Sequence, residues 1–293
     1  MKIINRIKVN SKVLFKYFLS VWSISSAFIS LSLSFISWED FGITNLSNKI
    51  TYSMLLLIAI AIVSLIISII IVFTRTKKTI FGDIDKGLLI QYGDIINLGF
   101  NNCDKNKKII VIPMNRCFDL SCDNNLVAET SIHGQWIKKF ISSKQNENDT
   151  HHTIETLLDN QNASYTKLDI TEKKSGYSKR YTPGTIAELN GTNGITFYLW
   201  GVAEYDKNLK ANCSELDYYK AIQNLIDYYD TYGQCVDIYC PIVGDHIIRP
   251  TKPTDDVIHF MISMFKINKP KIHGTIHLVV YEQKKSDISI LKY

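Results

Sequence analysis

The chain has 293 residues, 46% of them hydrophobic and 21% charged, with a net charge of +5. The charge is unevenly spread: residues 1–16 hold five basic residues and no acid, residues 39–49 hold two acids and one base, and the remainder from 75 onward is close to neutral. A basic nucleic-acid-binding surface is therefore not indicated, because the excess of Lys and Arg flanks two apolar segments and does not lie in the polar body of the chain.

Those segments come first. Residues 17–38 and 52–74 are uncharged, and about 20 apolar helical residues cross a bilayer core. A hairpin of two transmembrane helices is expected in a membrane domain over residues 1–78. Lys2, Arg6, Lys8, Lys12 and Lys16 precede the first span and Arg75, Lys77 and Lys78 follow the second, while Glu39 and Asp40 lie between. The positive-inside rule then puts both termini in the cytoplasm of a cell bounded by this membrane. A cleaved signal peptide fits poorly, since the apolar stretch exceeds a usual h-region and no small-x-small site follows it. Ser23, Ser26, Ser30, Ser34 and Ser37 share one face of the first span by their spacing. That face suits close packing of small residues, or contact with other copies around a polar path.

Residues 79–293 are expected to form a cytoplasmic α/β domain. Residues 75–86 read as a polar connector. Strands are expected at Gly87–Tyr92, Lys108–Met114, Ile195–Val202, Cys235–Ile242 and Thr275–Glu282, from β-branched and aromatic runs. The run Ile109-Ile110-Val111-Ile112 is continuously apolar, as in a central strand covered on both faces. Helices are expected from near Ser131, over about His152–Asn160, from Ser214 to Tyr229, and from Thr254, the last two opened by capping side chains. Residues 143–180 are otherwise polar and read as a long surface excursion. Alternating strands and helices imply a largely parallel or mixed sheet.

Common catalytic signatures are absent: the sequence has no G-x-x-x-x-G-K-[ST], no G-x-G-x-x-G, no H-E-x-x-H and no G-x-S-x-G. The pairs Cys117/Cys122 and Cys235/Cys240 have a spacing unusual for zinc; free thiols and no bound metal are expected. Ligands of open α/β sheets sit beyond the carboxyl ends of strands. Three segments lie there: Gly93-Asp94-Ile95, Asn115-Arg116-Cys117-Phe118-Asp119 and Gly244-Asp245-His246. Ser131-Ile132-His133-Gly134-Gln135 opens a helix, whose N-terminus favours an anion.

In this order the segments resemble a macro domain, and more closely the divergent macro domain of the type II Thoeris antiphage effectors, which join two transmembrane helices to it. The resemblance rests on Val111-Ile112-Pro113-Met114-Asn115-Arg116-Cys117-Phe118-Asp119, Ser131-Ile132-His133-Gly134-Gln135 and Tyr181-Thr182-Pro183-Gly184-Thr185. It implies a macro-like α/β/α sandwich with a mixed central sheet. It also implies a ligand site drawn from Asp94, Ile95, Asn115, Phe118, Asp119, His133, Gly134, Gln135, Gly184, Gly244, Asp245 and His246, with Asp94 on adenine, Asn115 on the distal ribose and the glycine loops on the diphosphate. The implied ligand is an ADP-ribose conjugate of the histidine–ADP-ribose type, made by a TIR enzyme. No other cofactor is implied. The implied output is oligomerisation and membrane disruption, with the lipid bilayer and further copies as partners and no nucleic acid. Only Gly134 remains of the usual glycine-rich first loop, which favours binding over an ADP-ribosyl hydrolase. Asp245 replaces the second glycine of the other loop; an acid repels a diphosphate, so Asp245 is expected to face a cationic or hydrogen-bonding group of the conjugate.

Overall fold

The computed structural model describes residues 2–83, 85–101, 106–123, 126–144, 146–243 and 254–293. The chain divides into two compact units, one of residues 1–78 with 285–293 and one of residues 79–284. The last nine residues, expected with the soluble domain, belong to the first unit.

The first unit opens with α1 (Lys2–Val9), α2 (Ser11–Leu33) and α3 (Leu46–Thr74). The last two are long and apolar enough to cross a membrane, with mean hydropathy of 1.4 and 3.4 over their best windows. α2 starts earlier than expected and stops at Leu33, short of the expected end at Trp38. Serine hydroxyls end it: Ser34 Oγ donates to the Leu31 carbonyl at 2.5 Å and Ser32 Oγ to Phe28 at 2.9 Å, competing with the helical ladder. Gly42 then turns the chain in the left-handed region at φ 74°. Helix α3 buries Ile60, Ser64, Ser68 and Val72, four residues apart along one stripe, and exposes Leu55, Leu57, Ile58, Ile62 and Ile66. Small serines at the helix contact let the two backbones approach.

The second unit is built on a sheet in the order β1 (Lys77–Gly82), β2 (Gly87–Gly93), β10 (Thr275–Tyr281), β9 (Asp237–Pro241), β3 (Lys108–Asn115), β7 (Ile195–Tyr205) and β6 (Ile186–Asn190), with β8 (Ala211–Asn212) paired to β7. From β2 to β7 the pairing is parallel. β6 and β8 run antiparallel to β7, so the sheet is mixed, as expected. The strand β1 lies in what reads as a connector, and the edge strand β6 was not expected at all.

Helices cover both faces. α4 (Ile95–Phe100), α5 (Ile132–Lys144) and α6 (Glu147–Asn160) pack with Ile110, Ile112, Phe197 and Leu199 in one core. There Trp136 stacks on Phe140 at 4.6 Å and Phe197 meets both edge-on at 5.8–5.9 Å; burying each ring stabilises the fold by about 2–3 kcal/mol. On the other face lie α7 (Glu215–Tyr232) and α8 (Thr254–Ile267), and Trp200 Nε1 donates to the Ala221 carbonyl of α7 at 3.0 Å. Ser214 caps α7 by accepting from Asp217 N. Strand β3 is central: Ile110, Val111 and Ile112 are wholly buried.

The polar excursion is structured. α6 buries Ile154 and Leu158, and the two-stranded ribbon of β4 (Tyr165–Lys167) and β5 (Lys179–Tyr181) follows. Between them a turn carries Lys173 inward to a fully buried Asp119. The five described cysteines are free thiols.

Candidate functional site

A cleft of about 560 Å³ opens at the carboxyl ends of β3 and β7 and just beyond β9. Asn115 is the last residue of β3 and lines it. The Asn115 Oδ1 accepts from the backbone N–H of Cys117 at 3.0 Å and of Asp119 at 3.3 Å, which folds the following loop around the side chain. Its Nδ2 is buried and makes no well-formed hydrogen bond, so a buried donor stands at the cleft wall without an acceptor. Tyr205 lies beside it; burial pushes its phenol up to about 12, and the Asn115 amide pulls the other way.

Across the cleft the first turn of α5 contributes Ser131, Ile132 and His133. Ser131 Oγ accepts from Gly134 N at 3.0 Å, capping the helix. The His133 Nε2 lies 2.8 Å from the carbonyl oxygen of Asp119. A carbonyl only accepts, so Nε2 carries the proton. Burial lowers the His133 pKa to about 4, and the ring is neutral at physiological pH. Gly134 is required by contact: a Cβ there would stand 2.3 Å from the Ala128 carbonyl oxygen. Gln135 turns its amide to the Thr130 carbonyl at 2.9 Å.

Phe118 and Asp119 lie beneath the cleft rather than in its walls. Phe118 is buried edge-on against Tyr181, its backbone at φ 54°. The Asp119 carboxylate takes Lys173 Nζ at 2.6 and 2.9 Å and Tyr177 N at 2.7 Å. Burial raises its pKa against the pull of Lys173. That carboxylate points into the protein, so it is a clamp on the 168–178 turn and not a group presented to the cleft. Arg116 likewise turns away, to the Tyr181 carbonyl and to Glu204.

The remaining expected residues are dispersed. Asp94 follows β2 and caps α4 through Oδ1, which accepts from Ile96 N and Asn97 N. Ile95 is buried below it. Neither lines the cleft. Gly184, at φ 83°, sits where a Cβ would meet the Ala221 Cα at 2.7 Å; it permits close packing against α7. Gly244, Asp245 and His246 lie outside the described residues.

Sequence reasoning missed the apolar walls: Met114, Leu126, Val202, Tyr205, Leu209 and Val243. Strand β7 continues three residues past Val202, through Ala203 and Glu204 to Tyr205. Among the described residues the cleft has no charged side chain in its walls, and no cluster fit to hold a metal ion occurs. The cleft offers flat apolar contact, a buried amide donor and the N-terminus of α5, which together suit a ring, a hydroxyl and an anionic group.

Residues 88–281 match the family model described as Thoeris protein ThsA, macro domain. Among curated proteins the chain is similar to the Thoeris protein ThsA of Bacillus amyloliquefaciens (strain Y2), at 24% identity over 213 residues, covering 69% of this chain and 65% of that relative. The match therefore spans slightly less than two thirds of the relative's own length.

Proposed function

This chain belongs to the Thoeris ThsA macro-domain family, and we propose that it is a membrane-bound effector of antiphage defence whose α/β domain senses an ADP-ribose-derived signal. The single observation that carries this reading is the cleft beyond β3, β7 and β9, where the buried Asn115 amide lacks an acceptor and the first turn of α5 faces the opening. The signal is of the histidine–ADP-ribose type, supplied by a TIR enzyme. The ribose hydroxyls suit Asn115, and the diphosphate suits the N-terminus of α5.

Binding rather than hydrolysis is favoured by the chemistry of the walls. The described lining has no carboxylate to act as a base, and His133 is committed through Nε2 to the Asp119 carbonyl. The hairpin of α2 and α3 crosses the inner membrane of a bacterium with the basic flanks on the cytoplasmic side. Ser23, Ser30 and Ser34 are exposed, which suits contact with other copies once the signal is bound.

Reconstitution tests this reading. The full chain in dye-loaded liposomes should leak on addition of histidine–ADP-ribose and stay tight without it. Asn115→Leu should raise the ligand concentration needed by about tenfold or more. Leakage that ignores the ligand would overturn the proposal, as would ligand binding without leakage.

A further inference from the structure

The last nine residues supply a second feature that bears on how the hairpin is controlled. The chain leaves β10 at Tyr281 and runs through residues 282–286 into a segment that packs within the first unit. Ser289 is wholly buried there and Asn10 is 3% exposed. Ser289 Oγ donates to Asn10 Oδ1 at 2.5 Å, and Asn10 is the residue at which α1 gives way to α2. Lys78 Nζ, four residues past the end of α3, donates to the Leu291 carbonyl at 2.8 Å. Arg6 adds a bond to the Phe73 carbonyl of α3 at 3.0 Å, with its guanidinium 4.3 Å from the Phe73 ring centre. Ile288, Ile290, Leu14 and Val72 are buried in this unit. The tail thus bonds to the start of one long helix and to the chain just beyond the end of the other.

The contact between those helices is poorly satisfied on its own. Trp22 Nε1 and Ser26 Oγ of α2 and Ser64 Oγ of α3 are buried without a hydrogen-bond partner among the described residues. Unpaired polar atoms in an apolar surrounding weaken the packing that buries them. The tail adds hydrogen bonds at Asn10, where α2 begins, and at Lys78, four residues past the end of α3.

We propose that residues 285–293 are a restraint that clasps the two membrane helices at one end and holds the hairpin in its inactive arrangement. The proposal rests on the reading of the hairpin as the membrane-disrupting output. A route for release is present in the chain: Ile242, at the cleft, donates its N–H to the Val279 carbonyl of β10 at 3.1 Å, ten residues before Ser289. Within this proposal a ligand at the cleft releases the clasp by way of β10, which residues 282–286 connect to the clasp.

The test compares the full chain in dye-loaded liposomes with a chain ending at Lys284, without ligand. The shortened chain should leak faster than the full chain by about tenfold, and Ser289→Ala, which removes the bond to Asn10 and the one accepted from Leu291 N, by about threefold. Calorimetric binding of histidine–ADP-ribose should persist in both, at equal or tighter affinity because clasp release and ligand binding are linked, which shows that the α/β domain has folded. If the shortened chain stays as tight as the full chain, the clasp restrains nothing. If it binds ligand yet leaks under no condition, the tail drives opening and the restraint is overturned. A full chain that fails to leak with ligand counts against the sensing proposal and leaves the ligand-free comparison to decide this one. Amide hydrogen exchange gives a readout free of leakage: Asn10→Leu should accelerate exchange over residues 288–291, and unchanged protection would overturn the clasp.

Discussion

The two units invert each other's use of residue types. In the α/β unit Ile110, Val111 and Ile112 are wholly buried, and the buried carboxylate of Asp119 is paired with Lys173 at 2.6 Å. In α3 Ile58, Ile62 and Ile66 face outward, each more than half exposed, while Ser64 and Ser68 lie inside beside Ile60 and Val72. A water-facing helix would lose by exposing that stripe. A helix in lipid does not, because hydrocarbon solvates isoleucine and the small serines serve helix contact. The difference teaches that the same apolar content is a core in one unit and a solvent-facing surface in the other.

The largest expected effect breaks the buried pair. Lys173→Met leaves the Asp119 carboxylate uncompensated and should destabilise the α/β unit by about 3–5 kcal/mol in chemical denaturation of the full chain in detergent. Next comes a matched truncation. Ile110→Ala, at a position with no exposure, should cost about 3 kcal/mol or more. Ile62→Ala, 55% exposed, should cost well under about 1 kcal/mol in the same measurement, because the change leaves no cavity. Equal costs at the two sites would erase the contrast.

A further effect, smaller than those of Lys173→Met and Ile110→Ala, is set by pH and acts in the α/β unit. His133 has its pKa lowered from 6.5 to about 4 by burial. Between these values the unfolded chain binds a proton that the folded chain excludes. The contribution is therefore full above pH 6.5 and is lost as pH falls toward 4. Stability should drop by about 2 kcal/mol between pH 7.5 and pH 5, with His133→Gln flattening that part of the slope. Denaturation midpoints of both proteins at the two pH values measure it.

Much of the fold was legible where local pattern and tertiary role agree. The unbroken run of β3 marked a strand covered on both faces, and Ser214 marked the start of α7. The short elements were not legible: α4, β4 and β5 have three to six residues, too few to show a period. β6 has five, and its burial alternates only weakly. The clamp between Asp119 and Lys173 joins residues 54 apart, and a lysine in a polar stretch carries no sign that it turns inward. Asp119 looked like a ligand contact for the same reason, since sequence shows a carboxylate beside Asn115 and not the ammonium that occupies it. The tail was invisible because Ser289 and Asn10 are joined by one hydrogen bond across 279 positions. Asn115 and His133, named from the sequence, lie in the cleft walls because strand ends and helix starts are readable. The apolar walls were not, because core and cleft are built from the same residue types.

The most direct test of the central claim is calorimetric titration of the full chain with histidine–ADP-ribose, followed by recovery of the ligand. The account predicts saturable binding at one site per chain, return of the ligand intact, and marked weakening by Asn115→Leu. Absence of binding, or recovery of the ligand cleaved, would contradict it.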